Sequence, residues 1–456
     1  MRDLFFVGFL LAVLALGFRR PFLFVLVYAY IDTVAPQRLS YYLLNSLPLS
    51  MYVACLAFAG WLLFEKKEGI RFGPRQGLLT LLLCYSFYTT SNADFPIAAA
   101  EKWDWASTSL AFAIFLPLTL RSKLRLEALL LFLTLSAAAI IIVGGLKTVA
   151  SGGGYGVLNL MVTNNSNLYE SSTISTIAIA LIPIILWLAK FGTVFPPDWR
   201  VKMFAAGLIF ACLLMPIGTE ARTGLVCIAV LALLMLRDVK RRFLYLAGAG
   251  LLVVASVPFL PDSFTGRMST IQGYESDSSA KVRLAVWSWT WNYAQENPLG
   301  GGFGAYLGNK IGVRTVTTQG AAGVQTIAAR TEIDQGRAWH SAYFEMLGEQ
   351  GFPGLILFLL IHIGGLVRME VLRRRYRLAE GDKAWIAPLA TALQHFQIIY
   401  LVGASFVAIA YTPFTLMILG VQIGLDNLIA RRERAEKPRA AFAPASNRGQ
   451  AGTAPA

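Results

Sequence analysis

Ile174 to Leu188 reads ISTIAIALIPIILWL, an uncharged apolar run inside a longer stretch, 169–190. A bilayer core about 30 Å thick asks for about 20 such residues in a helix, and 169–190 supplies them. Comparable stretches recur at 4–18, 21–35, 45–64, 77–91, 105–120, 126–149, 203–218, 224–236, 243–260, 352–369, 385–402 and 405–425. The first two and 224–236 are short, so the reading is 12 or 13 spans. Composition agrees: 56% of the 456 residues are hydrophobic and 14% charged, against about 25% charged in soluble domains. The fold class expected is an all-α polytopic integral membrane protein with one large extracytoplasmic loop containing short helices.

The net charge is +14, but uncharged runs of this length cannot coat a nucleic-acid surface. The basic excess instead follows the rule that Lys and Arg collect in cytoplasmic loops. Loops 65–76, 121–125, 190–202, 237–242 and 368–383, the tail after 425, and Arg19-Arg20 hold 28 of the 40 Lys and Arg. The carboxyl tail is therefore expected in the cytoplasm and loop 261–351 on the opposite side. The side of the N-terminus depends on whether 4–18 and 21–35 both span. The first apolar run ends at Arg19-Arg20-Pro21 rather than at a small-residue cleavage site, so no signal peptide is expected.

The parts expected are N-terminal helices over 1–150, helices with Asn- and Arg-containing outer bends over 151–260, the large loop 261–351, C-terminal helices over 352–425, and a disordered cytoplasmic tail over 426–456. Cys55, Cys84, Cys212 and Cys227 sit in apolar runs without CxxC spacing, and read as small buried hydrophobes rather than a metal site or disulfide framework. With no Walker loop, ATP is not expected to drive the protein. Spans nearly free of Asp and Glu argue against a proton relay, and the lack of an acidic DxD-like pair argues against a metal-dependent nucleotide-sugar enzyme.

Chemistry is left to polar groups at helix ends and in loops. Gly218-Thr219-Glu220-Ala221-Arg222-Thr223-Gly224 is a polar bend with one Arg at membrane depth. That is costly unless the Arg meets an anion, and its planar fork suits phosphate; a snorkelling Arg222 paired with Glu220 is the plainer alternative. Over 279–297, Arg283, Trp287 and Trp291 share one helix face, so an amphipathic surface helix is expected, its indoles anchors or a sugar platform. Asn297-Pro298-Leu299-Gly300-Gly301-Gly302-Phe303-Gly304 then breaks it, exposing backbone N–H groups of the kind that cradle anions.

His362 and His395 lie inside apolar spans, whereas His340, in Gly336-Arg337-Ala338-Trp339-His340-Ser341, precedes re-entry. It is the His placed for proton transfer to a substrate outside the membrane, although a solitary loop His is often incidental. Gly152-Gly153-Gly154-Tyr155-Gly156 leads to Asn164-Asn165-Ser166-Asn167, where Asn side chains can cap a helix or bind sugar hydroxyls; capping is the plainer reading. Asn309 to Arg337, rich in Thr, Gln, Gly and Ala, is expected to be the mobile part of the loop.

Together, Thr219 to Gly224, the Arg283 helix running into Asn297 to Gly304, and His340-Ser341-Ala342-Tyr343 followed by Glu349-Gln350-Gly351-Phe352-Pro353-Gly354 resemble the O-antigen ligase and polymerase superfamily. The Arg19-Arg20-Pro21 and Tyr28 to Tyr52 region looks more like the exosortase-associated O-glycosylation ligases. The resemblance implies a bacterial inner-membrane enzyme, its site facing the periplasm, that moves a glycan from undecaprenyl pyrophosphate to an acceptor hydroxyl on a lipid or protein, without cofactor, metal or nucleic acid. It implies that Arg222 and Arg283 hold the pyrophosphate and that His340 takes or orients the acceptor proton. Glu349 and Asn167 fall in matching segments as further substrate-binding candidates. At Glu220-Ala221 the sequence departs from the common pattern, in which Ser precedes the Arg. A polysaccharide polymerase fits the same motifs, and a lipid-linked sugar transporter is the third alternative.

Overall fold

The computed structural model describes residues 2–40, 42–44, 47–67, 69–151, 167–238, 278–321 and 324–436. The helices are α1 (Arg2–Arg19), α2 (Phe22–Val34), α3 (Pro36–Leu39), α4 (Leu49–Phe64), α5 (Pro74–Ser91), α6 (Pro96–Thr119), α7 (Lys123–Ser151), α8 (Ser171–Phe191), α9 (Trp199–Gly218), α10 (Arg222–Met235), α11 (Ser278–Glu296), α12 (Ala342–Arg375), α13 (Ile386–Gly403) and α14 (Pro413–Glu436). The protein is an all-α, multi-pass membrane protein. Among the described residues, six helices are long and apolar enough to cross a membrane: Lys123–Ala150, Ser171–Phe191, Trp199–Gly218, Ala342–Arg375, Gly381–Gly403 and Pro413–Glu436. Phe22–Val34, Leu49–Phe64 and Arg222–Met235 are apolar but shorter. The span expected over 243–260, the glycine segment 152–156, Asn164 to Ser166 and the tail from 437 lie outside the described residues.

The long helices run between two ends of one bundle, whose core joins α2, α6, α7, α8, α13 and α14. At one end the connections are basic. Arg125 pairs with Glu65 at 2.7 Å, Arg368 with Asp426 at 2.7 Å, and Arg432 with Asp382 at 3.0 Å. Lys123 donates to the carbonyl of Phe191, at the end of α8. At the other end the Tyr169 hydroxyl donates to the carbonyl of Val34, and Ala342 N–H to that of Ala404. The Asp3 carboxylate accepts the Tyr42 and Leu43 N–H groups, so α1 begins at this second end, close to the start of α4.

Several boundaries differ from the sequence reading. The span placed at 405–425 is helical only from Pro413; 404–412 is a connection at the second end of the bundle. Toward the end of the loop placed at 261–351, α12 begins at Ala342 and breaks at Gly351 (φ 62°, ψ −165°) before continuing to Arg375. Lys310–Ala321 and Val324–Gln335 form an antiparallel hairpin, from Lys310↔Gln335 to Ala321↔Val324. The reading of 309–337 as the mobile part of the loop rested on its composition and passed over Ile, Val and Thr at alternate positions, a strand pattern carried by half-polar residues. Cys212 and Cys227 are buried as expected, but Cys55 and Cys84 are exposed, because an apolar run in a membrane protein can face outward as well as inward.

Candidate functional site

Two glycine turns build the frame of the site. Gly301 N–H donates to Gly348 O at 3.1 Å, Gly302 N–H to Glu349 O at 2.9 Å, and Phe352 N–H to Pro298 O at 3.0 Å. The N–H groups expected to cradle an external anion are therefore spent on the carbonyls that end the first part of α12. Gly304 N–H also faces an anion, but it is the Glu349 carboxylate, at 3.2 Å. Gly300, Gly302, Gly304 and Gly351 all have positive φ, a conformation that glycine adopts without penalty.

Glu349 is fully buried, and Lys102 of α6 lies against it. The Lys102 Nζ donates to Glu349 Oε2 at 2.7 Å and to Glu345 Oε1 at 2.7 Å, and lies 5.2 Å from the Phe303 ring centre and 5.5 Å from that of Tyr411. Glu345 Oε2 accepts Ala410 N–H at 3.0 Å, fastening connection 404–412. A buried charge needs partners, and this cluster supplies them across four segments of the chain.

His340 stands at the edge of the same end. It has φ 47°, strained for a residue bearing a Cβ, and follows the buried Trp339. Trp287 donates to Trp339 O at 2.9 Å and stacks on Phe344 at 5.0 Å, while Trp291 meets Phe352 edge-on at 5.9 Å. The expected α11 is present, and its Trp face holds α12 and the turn before His340. Partial withdrawal from water, and next the Arg283 guanidinium, lower the His340 pKa from 6.5; Glu170 acts in the opposite direction and Arg337 in the same direction as Arg283. The imidazole is therefore neutral at pH 7, the form that accepts a proton.

His340 opens into a cleft of about 640 Å³ whose lining includes Asp32, Arg38, Lys102, Trp105, Glu170 and Glu345. Glu170 is the N-cap of α8, its carboxylate accepting Thr173 N–H at 2.6 Å. Capping was expected of the Asn cluster; Asn167 instead opens a short 3-10 turn, Asn167–Tyr169, before Glu170. Arg222 is the first residue of α10, after Glu220 at φ 51°. Its bend rests on α8, where Thr219 and Ser175 hydroxyls share a 2.8 Å hydrogen bond. The structure thus brings His340 and Glu170 to one cleft, with Arg283 acting on His340 through its charge, leaves Glu349 off the cleft's wall, and starts Arg222 where its bend meets α8.

Residues 207–359 match the O-antigen ligase family. The similarity to O-antigen ligases covers that stretch of the chain, and Arg222, Arg283, His340 and Glu349 all fall inside it. Residues 1–193 match a family of unknown function (DUF5935). No curated protein matches the chain.

Relative to this O-antigen ligase stretch, most of the cleft wall is contributed from outside. Asp32, Arg38, Lys102, Trp105 and Glu170 belong to the 1–193 match, and Val407, Ile409 and Thr412 follow the ligase stretch. Sequence reasoning passed over all of them. The signal available was Glu101-Lys102-Trp103-Asp104-Trp105, a polar insertion at the start of α6.

Proposed function

We propose that the chain is a glycan ligase. It transfers a glycan from undecaprenyl pyrophosphate to an acceptor hydroxyl, on a lipid or a protein, at the periplasmic face of the bacterial inner membrane. The observation that carries this reading is His340 on the wall of a cleft with the Arg283 guanidinium acting on its charge, both residues within the O-antigen ligase match. The crowding of basic residues at the opposite end supports the orientation, since that end is the cytoplasmic one by the positive-inside rule.

In the proposed step the acceptor oxygen attacks the anomeric carbon and forms the new C–O bond. The bond from that carbon to the phosphate oxygen breaks, its electron pair leaves with the pyrophosphate, and the acceptor proton passes to His340. Arg222 and Arg283 hold the pyrophosphate and offset the charge that grows on it; such fixed charges act most strongly where water is excluded. Glu349 acts from beneath, through Lys102, and Asn167 lies at the entry to α8. The pyrophosphate leaving group makes the transfer favourable, so positioning and electrostatics suffice and no metal is required. The likeness of the N-terminal region to exosortase-associated ligases supports an O-glycosylation role within the same chemistry.

The test is the length distribution of undecaprenyl-linked glycan in a strain lacking the protein. Long chains accumulating on the lipid are expected of a lost ligase. Single repeats accumulating instead would replace this reading with a polymerase.

A further inference from the structure

The Arg283 guanidinium acts electrostatically on His340, yet of the two only His340 lines the cleft; neither Arg283 nor Arg222 is part of its described wall. Arg222 opens α10 and Arg283 belongs to α11, whereas the polar groups of the cleft come mainly from residues 1–193. The α6 part of the wall places Lys102, Trp105 and Ser109 along one stripe, with Asp104 and Thr108 beside it. Lys102 is fixed by Glu345 and Glu349. Trp105 is 46% exposed, and Asp104 next to it is exposed as well. On the same wall, Ser50 donates to the Asp32 carboxylate.

We propose that this wall is the acceptor subsite and that it receives a sugar ring: the region matched to a family of unknown function selects the acceptor saccharide, while the ligase stretch supplies the transfer. The inference rests on the transfer reading above. An indole face covers the apolar C–H face of a sugar, and a neighbouring carboxylate accepts its hydroxyl hydrogens in charge-assisted bonds. Trp105 and Asp104 offer that pair in the same cleft as His340. With the donor's pyrophosphate assigned to the arginines, which are not part of this wall, the wall is left to the acceptor, whose hydroxyl reaches the imidazole from α6. Trp105 and Asp104 are specificity residues in this arrangement, since they touch the acceptor away from the bond being made.

The test uses the full chain in lipid nanodiscs, undecaprenyl-pyrophosphate-linked oligosaccharide as donor, and methyl glycosides of glucose, galactose and mannose as acceptor probes, with a Ser/Thr-containing peptide for comparison. Glycan transfer and hydrolysis of the donor by water are followed separately. Trp105→Ala and Asp104→Asn are each expected to raise the half-saturating glycoside concentration about tenfold, the scale of one lost charge-assisted contact. Donor half-saturation and hydrolysis are expected to stay as in the parent. Unchanged glycoside dependence, or a shift in donor dependence instead, overturns the wall assignment while leaving the transfer reading intact. Transfer to the peptide but to none of the glycosides overturns the saccharide class. Failure of the parent protein to cleave the donor at all overturns the transfer reading, and this inference with it.

Discussion

Gly300 and Gly351 lie back to back: a Cβ at 351 would stand 2.5 Å from the Gly300 nitrogen, and one at 300 would stand 2.6 Å from the Glu349 carbonyl oxygen. Both also have positive φ. Gly351→Ala is therefore expected to destabilise the protein by about 1–3 kcal/mol from backbone strain alone, with the collision added. Gly207→Ala, where nothing lies within 4 Å, is expected to be neutral or to stabilise by about 0.5–1 kcal/mol. Thermal unfolding in detergent compares the two, and equal melting temperatures would refute the joint.

Loss of Lys102 leaves Glu345 and Glu349 facing each other without their cation. Removing one partner of a buried ion pair costs about 3–5 kcal/mol, so Lys102→Met is expected to lower abundance and melting temperature sharply. Adding Glu345→Gln and Glu349→Gln to that variant is expected to restore most of the loss. Equal instability of the triple variant would show that the charges are not the cause.

His340→Ala, Arg222→Ala and Arg283→Ala are each expected to abolish glycan transfer with protein abundance near normal. The loss of one charged group that meets the developing charge is worth about 10²–10³ in rate. Arg222→Lys is also expected to be impaired, because an ammonium cannot reproduce a two-pronged contact with phosphate. Substantial transfer by His340→Ala would remove it as the base.

The acid side of the pH profile reports on the same imidazole. Its folded pKa lies below 6.5, so the neutral form dominates at pH 7 and transfer declines only as pH falls through that lowered value. Arg337→Gln removes a cation that lowers the pKa, and is expected to move the acid limb to higher pH. Glu170→Gln removes a group that raises it, and should move the limb the other way. Rate against pH for the three proteins checks the signs, and shifts in one common direction would contradict the arrangement.

Transfer is expected to continue after dialysis against a chelator. Among the described residues, no three His, Cys, Asp or Glu gather where a metal ion could bind. Activity lost to the chelator and restored by a divalent ion would call for a different mechanism.

Helix periodicity and length made most of the fold legible, because a span is a local property. Arg283, Trp287 and Trp291 announced α11 by spacing alone. Lys102 was hidden for two reasons. Its polar neighbourhood, Glu101 to Trp105, made α6 read as starting at 105 rather than at Pro96, and its partners lie more than two hundred residues away, where no spacing rule reaches. The glycines of Gly300 to Gly304 were visible, but whether their N–H groups face a ligand or another turn is decided by Gly348 and Glu349, which only the folded chain brings to them. Glu170 was missed because the preceding Asn residues looked like the better cap. The helix before Gly351 was hidden, since Ala342 to Gln350 carries the polar residues of the site rather than an apolar run.

The pairing of Lys102 with Glu345 and Glu349 also bears on how the chain is made. Lys102 is synthesised long before either carboxylate. A buried charge is costly until it is paired, and the first part of α12 brings two on one short segment. The lysine in the earlier-made half is a receptor already waiting for them, so late helices docked in the wrong place would keep a penalty that correct docking removes. Quality control during biogenesis, rather than turnover of substrate, is where a mutation at Lys102 would first be felt.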